Sequence, residues 1–322
     1  MNPLVSVAVA TYNSAAFVEE TLESIFNQSY SPIALVVSDD CSKDNTVEIV
    51  QNWLAQDRVV ERFDSIQLVT VVENTGISAN CNRSIAAAPS DYVKFIAGDD
   101  IILPDGIQKY MAFAIQNPQA RIIFSQIRVY QDHFKPESYV KTTPLDYPHN
   151  LMDEKLTAHD QYQLLLLSDR IHYTPSFFQN KQAILKVGGY DEENKLVEDY
   201  PMWLKLTQAG ERLYYFHQET VGYRIHSKAA NNTGQHVIFK PSVLYSFKIR
   251  QRYAHQHLPW EIVASEYQVY YLSKLFNQLG WNQNTPWLSK LYRLGTFYLN
   301  PFQYFYALNK RLPQNKNNLF YQ

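Results

Sequence analysis

Tyr92-Val93-Lys94-Phe95-Ile96-Ala97-Gly98-Asp99-Asp100 is the stretch on which the reading of this chain turns. An apolar run of strand length ends abruptly in two adjacent carboxylates. Like charges side by side repel, and each is costly to desolvate. A divalent cation removes both problems, because hard oxygen ligands suit Mg²⁺ or Mn²⁺. The competing reading is a plain turn, since Asp and Gly favour turns. A carboxylate pair at the C-terminal end of a strand in an open α/β sheet also lies where such sheets bind ligands.

Working back from that turn, strand and helix patterns alternate. Leu4 to Ala10 reads as a strand, Val18, Leu22, Ile25 and Phe26 recur at helical spacing, and Ile33 to Val37 reads as a second strand. Val47, Val50, Trp53 and Leu54 mark a second helix, and Gln67 to Val72 a third strand. Ile77, Cys81 and Ile85 mark a third helix before the strand Tyr92 to Ile96. Beyond the acidic turn, helical spacing resumes at Ile107, Met111, Ala114 and Ile115. Such alternation predicts βαβ units and a mostly parallel sheet.

Polar residues collect after each strand: Thr11, Tyr12 and Asn13; Asp39 and Asp40; Glu73 and Asn74; Asp99 and Asp100. In a parallel sheet these turns line one edge and together make a cleft. The turn after the first strand, Ala10 to Ala16, holds no glycine, so neither a dinucleotide fingerprint nor a phosphate loop is present. A diphosphate bound there must be neutralised otherwise, and a metal on Asp99 and Asp100 would do so. Tyr12 suits stacking on a base, and Asp39 suits accepting a base N–H. Asp40 or Ser42 is expected to cap the following helix, leaving Asp39 to bind.

The composition is that of an ordinary globular protein: 322 residues, 46% apolar, formal charge −2. There is no basic excess to suggest nucleic acid as a partner. Cys41 and Cys81 make neither a disulfide framework nor a metal-ligand spacing, which fits a reducing compartment. The N-terminus lacks the basic region of an export signal, and no apolar run reaches the length of a spanning helix. A cytoplasmic protein is expected.

Taken together, the motifs resemble a family 2 glycosyltransferase of the GT-A fold. They are Val7 to Asn13, Ser38-Asp39-Asp40-Cys41-Ser42 running on to Thr46, Gly98-Asp99-Asp100, Gly188-Gly189-Tyr190-Asp191, Glu198 to Leu204, and Tyr223-Arg224-Ile225-His226. The resemblance implies a nucleotide-diphosphate donor, commonly a UDP-sugar, and hexosyl or N-acetylhexosaminyl transfer with inversion. It also implies a glycan or lipid-linked acceptor and a setting in bacterial surface polysaccharide biosynthesis. The alternative is a catalytically silent sugar-nucleotide or glycan-binding protein.

By the same resemblance, Thr11, Tyr12, Asn13, Asp39 and Asn74 contact the nucleotide, and Asp99 and Asp100 the metal and diphosphate. Asp199 is the catalytic base, with Glu198 beside it, and His226 helps hold the metal. Arg224 is an alternative diphosphate contact. Two departures stand out. Ala97 replaces the first acid of the family's Asp-x-Asp-Asp pattern, and Cys81 takes the place of a frequent arginine, which Arg83 or Lys94 would have to replace. The residues support the same chemistry by themselves: a diphosphate leaving group needs its charge neutralised, and an incoming hydroxyl needs a base. Asp199 opens a helical segment, where an acid also suits the helix dipole. Trp203, one turn on, is a candidate acceptor platform or a core aromatic.

The catalytic domain is expected over residues 1–235, with a nucleotide-sugar half at 1–118 and an acceptor half at 119–235. Ile122 to Tyr130 alternates weakly, Gln131 to His149 reads as a long loop, and Thr220 to Ile225 as a strand before the polar loop Lys228 to Gly234. Residues 236–322 are expected to form a helical, aromatic and basic extension. Trp287, Leu291, Leu294 and Tyr298 form one stripe and Phe302, Phe305 and Tyr306 another, with Lys290, Arg293, Lys310 and Arg311 nearby. Two readings fit: a helical cap packed as core, or helices held peripherally at the inner face of the membrane.

Overall fold

The computed structural model describes residues 2–194, 197–227, 237–240, 242–316 and 318–321. The expected loop Lys228 to Gly234 lies outside them. The chain forms two compact units, Met1–Gln161 with Arg170–Ile225, and Tyr162–Asp169 with His226–Gln322.

The first unit opens with the alternation anticipated above: β1 (Val5–Thr11), α1 (Val18–Phe26), β2 (Ile33–Asp39), α2 (Thr46–Leu54), α3 (Asp57–Arg62), β3 (Ser65–Thr70), α4 (Ile77–Ala87) and β4 (Tyr92–Ala97). β1 pairs in parallel with β2 and β4, and β2 with β3. Every residue of β1 and β2 is buried, which is why both read as β-branched apolar runs without alternation. β3 begins two residues earlier than expected and stops at Thr70. Val72, which had been read into it, is 96% exposed.

After the acidic turn come β5 (Ile101–Ile102), α5 (Gly106–Gln116), β6 (Ile122–Gln131), β7 (Tyr139–Thr143), α6 (His149–Met152), α7 (Ala158–Leu167), β8 (Phe178–Asn180), α8 (Lys181–Lys186), α9 (Asp199–Gln208) and β9 (Leu213–Ile225). The sheet runs β3-β2-β1-β4-β8-β6-β9-β5, and β7 pairs with β6. Three readings need correction. The stretch Gln131 to His149 contains β7, whose partner strand decides its state. β6 is almost wholly buried, so its weak alternation is that of an interior strand. β9 is thirteen residues long, beginning well before Thr220.

One topological fact positions the site. β4 and β5 are separated only by Gly98, Asp99 and Asp100, yet stand well apart in the strand order. The sheet must therefore curl so that β9, partner of β5 through Ile101 and Gly222, returns to the acidic turn. The core beneath it is built from Val7, Val9, Leu22, Ile25, Leu35, Ile96, Ile107 and Tyr110, among others.

The second unit carries α10 (Ser242–Tyr253), α11 (Trp260–Gln278), α12 (Pro286–Arg293), a π-helical turn (Leu294–Tyr298) and α13 (Pro301–Lys310). Pro at the first turn and side-chain caps from Thr285 and Asn300 start α12 and α13.

Candidate active site

The register aligns the C-terminal ends of β1, β2 and β4, with Thr11 opposite Asp39 and Ala10 opposite Ala97. Asp39 is buried and fixed. The Thr11 hydroxyl donates to its Oδ2 at 2.8 Å, the Ser42 hydroxyl to the same oxygen at 2.6 Å, and the Ser42 N–H to Oδ1 at 2.8 Å. A carboxylate offers about four acceptor sites, so one on Oδ1 remains for a ligand. Thr11 is itself buried, and its hydroxyl proton is spent on orienting Asp39. Tyr12 stands beside it 48% exposed. Asn13 takes a positive φ of 52°, which Asn tolerates, and its Oδ1 accepts the Lys43 N–H at 2.8 Å.

Neither Asp40 nor Ser42 caps α2. The N-cap position is Asn45, which makes no side-chain capping bond, and Asp44 just before it accepts from the Thr46 N–H at 3.1 Å. Asp40 instead gathers the start of α4, accepting from the N–H and hydroxyl of Thr75, the Gly76 N–H and Arg83. Burial pushes the Asp40 carboxyl up, but these donors outweigh it and hold it below the usual carboxylate range. Asn74 donates to the Asp40 carbonyl at 3.2 Å, which ties this turn to the β2 turn.

The acidic turn is held from three sides. Gly98 lies so close to β1 that an added Cβ would meet Thr11 Cγ2 at 2.8 Å and Ser14 Oγ at 3.2 Å. The Asp100 carbonyl accepts the Thr21 hydroxyl at 2.7 Å, and its Oδ1 accepts the Arg224 N–H at 2.9 Å. Burial first, and the charge of Asp99 second, push the Asp100 carboxyl well above the carboxylate range. Asp99 is only half-buried. A buried carboxyl beside a second, more open one is costly to ionise, and a cation relieves that cost, so the residues fit a divalent ion. No group of three or more His, Cys, Asp or Glu suited to a metal occurs among the described residues.

Arg224 corrects an expectation. Its guanidinium donates from Nε to the Asp99 carbonyl at 2.8 Å, from Nη1 to the Asp132 carbonyl at 2.8 Å, and from Nη2 to Glu20. It is buried between the rings of Phe17 and Phe134, 4.6 and 4.2 Å from their centroids. It braces the acidic turn and is not presented to a diphosphate. His226 follows β9 directly but belongs to the second unit, where it is buried.

The second acidic cluster sits at the start of α9. Asp199 Oδ1 accepts the Tyr200 N–H at 2.7 Å and Oδ2 accepts the Thr174 hydroxyl at 3.0 Å. Burial raises the Asp199 carboxyl despite these bonds. Burial, then the charge of Asp199, pushes Glu198 up to about 8. Around neutral pH the pair thus carries one proton in excess of two ordinary carboxylates. Cys81 feels both charges, and so does the buried Tyr190; burial and then these neighbours push both groups well up. The residue standing in the expected arginine's place therefore faces the acid pair as a neutral thiol.

Neither proposed substitute replaces that arginine. Arg83 is spent on Asp40 and Thr75. Lys94 is fully buried, with Nζ donating to the carbonyls of Phe95, Pro175 and Phe177 at 2.8, 2.5 and 3.2 Å. It ties β4 to the turn that carries Thr174, the residue whose hydroxyl holds Asp199 and which the sequence reading above does not single out. Trp203 is 0% exposed, packed edge-on against Phe124 and Phe177 at 5.0 and 4.6 Å. It is a core aromatic and offers no face to an acceptor.

A family model described as Glycosyl transferase family 2 matches residues 6–187, more than half of the chain. An uncharacterised glycosyltransferase of Haemophilus influenzae is 27% identical over 233 residues, 71% of this chain and 70% of its own length. The putative teichuronic acid biosynthesis glycosyltransferase TuaG of Bacillus subtilis is 32% identical over 114 residues, covering 35% of this chain and 43% of TuaG. Among solved structures, S. aureus TarS 1–349 in complex with UDP-GlcNAc superposes with a TM-score of 0.56 at 16% identity, over 98% of this chain and 78% of that one. Against a longer TarS structure the chain spans 43% of the length.

Proposed function

The chain belongs to glycosyl transferase family 2 and has the GT-A fold, and from that premise we propose that it moves a sugar from a UDP-sugar to a glycan or lipid-linked glycan with inversion. The observation that carries the reading is the paired acid at the start of α9. Asp199 is held by Thr174 and Tyr200, and its base strength is raised by burial. Asp199 takes the proton of the acceptor hydroxyl as its oxygen bonds to the anomeric carbon. The bond from that carbon to the diphosphate breaks, and the nucleoside diphosphate leaves. Bound at Asp99 and Asp100, a divalent ion, Mn²⁺ or Mg²⁺, would neutralise the leaving charge. Tyr12 stacks on the base, Asp39 accepts a base N–H through its open site, and Asn13 and Asn74 shape the turns around them. The likeness to TuaG, named for teichuronic acid biosynthesis, supports a role in bacterial surface polysaccharide synthesis; the place of action proposed with it is the cytoplasm, peripherally at the inner membrane face.

The test is calorimetric titration with UDP, GDP and their sugars, with and without Mn²⁺, followed by assay of donor hydrolysis and transfer. Binding of UDP that tightens with Mn²⁺, together with turnover of one UDP-sugar, is expected. Tight UDP binding with no turnover on any acceptor would instead identify a silent sugar-nucleotide-binding protein.

A pH dependence follows from the acid pair. Glu198 is raised to about 8, so turnover should keep changing up to that pH as the second charge of the pair develops. Glu198→Gln should remove this upper step and leave the lower limb, set by Asp199, in place. An unchanged pH–kcat profile in Glu198→Gln would show that the two carboxyls are not coupled. The same shift bears on stability. A carboxyl raised in the folded state contributes fully below its unfolded value near 4.5, and that contribution is lost as pH rises through about 8.

A further inference from the structure

The second unit contains a helical segment that packs both aromatic and polar side chains inward, Tyr292 on Phe276 and Phe302 on Trp260 among the aromatics, and still leaves large apolar side chains open. In α12, the π-helical turn and α13, the side chains that face the rest of that unit include polar ones. Asn300 is wholly buried and donates to Ser265 at 2.8 Å, Gln268 of α11 donates to the Gly295 carbonyl at 2.8 Å, and Asn309 donates to Glu261 at 2.7 Å. Other apolar side chains of the same segment are open to solvent. Trp287 is 66% exposed, and Phe297, Tyr304, Phe305 and Leu308 are exposed with it. A helix packed only as a cap in water buries its apolar stripe and turns its polar side chains outward. Large apolar side chains left open together on one segment mark a surface that meets another apolar phase.

Charge identifies that phase. Residues 267–322 contain six cations, Lys274, Lys290, Arg293, Lys310, Arg311 and Lys316, and no Asp or Glu; all 31 acids of the chain precede Tyr267. Lys290, Arg293 and Lys310 are exposed on the same helices as the open aromatics, and Arg311, also exposed, directly follows α13. Aromatic and aliphatic side chains between cations, with no carboxylate to repel phosphate, match the headgroup and acyl boundary of an anionic bilayer. A protein partner would not require the complete absence of acids over so long a stretch.

We propose that the outer face of α12, the π-helical turn and α13 is a docking surface for an anionic lipid bilayer, entered by Trp287, Phe297 and Leu308 and held by Lys290, Arg293, Lys310 and Arg311. This deepens the membrane placement given above and rests on that reading only for where the bilayer would be met.

The experiment is sedimentation of the full chain with vesicles of phosphatidylcholine alone or mixed with phosphatidylglycerol, at low and high salt. Binding is expected with the anionic vesicles and should weaken as salt screens the cations. At about fivefold per cation, replacing the four basic residues together by Gln should lower partitioning by roughly 10²–10³-fold. Phe297→Ser with Leu308→Ser should weaken it at every salt concentration. The blue shift of tryptophan emission on binding should be lost in Trp287→Phe. Donor hydrolysis without vesicles, measured on the same variants, should be unchanged. Loss of hydrolysis in the parent protein with vesicle binding intact would sink the transferase reading and leave this one standing. No sedimentation with anionic vesicles would overturn the proposal. So would a lipid-free dimer that Phe297→Ser and Leu308→Ser dissociate, since the face would then be an interface between copies.

Discussion

Asp199→Asn is expected to lower kcat by ~10²–10⁴ while leaving UDP-sugar binding and the folded state nearly intact, the range that loss of a positioned general base gives. The substitution keeps shape and can still accept the Tyr200 N–H and the Thr174 hydroxyl through its amide oxygen. What it removes is the ability to take a proton from the incoming hydroxyl. It also removes the charge that helps raise Glu198, so the Glu198 titration should move below about 8. The measurements are single-turnover transfer, titration with the UDP-sugar, and a pH profile. Normal turnover in Asp199→Asn would shift the base to Glu198 or Asp191. Loss of donor affinity alongside kcat would mean that the α9 acid pair contacts the donor and not the acceptor.

How far the site was legible depended on how local each partner was. β1 and β2 could be read because each is buried on both sides, and β4 because its run is largely apolar, so all three appear as short apolar runs closed by polar turns. β7 and β8 could not. They are five and three residues long, and each exists because β6 lies beside it. The carboxylates Asp39, Asp99, Asp100, Glu198 and Asp199 stood out because several acids in apolar surroundings have few structural explanations. Which hydroxyl or cation each one meets did not stand out. Thr11 is 28 residues from Asp39, and Thr174 is 25 from Asp199. Trp203 shows the limit from the other side. Its spacing from Asp199 placed it on a plausible face, but burial against Phe124 and Phe177 depends on strands that periodicity cannot orient.

Arg224 was misread for the same reason, and its replacement carries the second large expected effect. A basic residue at the end of β9 near a diphosphate site invites the reading of an anion ligand. The curl of the sheet instead delivers it into a pocket that none of its sequence neighbours announces: Glu20 and Phe17 from α1 and its approach, Phe134 beyond β6, and the carbonyls of Asp99 and Asp132. Arg224→Met would fill part of the space between the two rings but leave both carbonyls without their donor and Glu20 without its partner. Breaking a buried pair costs roughly 3–5 kcal/mol; because Glu20 is half exposed, the lower end, about 3 kcal/mol, is expected. Arg224→Lys should recover little, since an ammonium cannot span three acceptors in one plane while stacked between rings. The backbone N–H of residue 224 would still reach Asp100 in either variant. The lost anchorage should therefore fall mainly on Asp99, the more open carboxylate. Thermal denaturation should show the lowered stability, and titration with UDP and Mn²⁺ a weakened donor complex in the protein that remains folded. If stability falls while Mn²⁺-dependent UDP affinity is kept, Arg224 holds the curled sheet together without setting the acidic turn, and the metal site is organised by Thr21 and Gly98 alone.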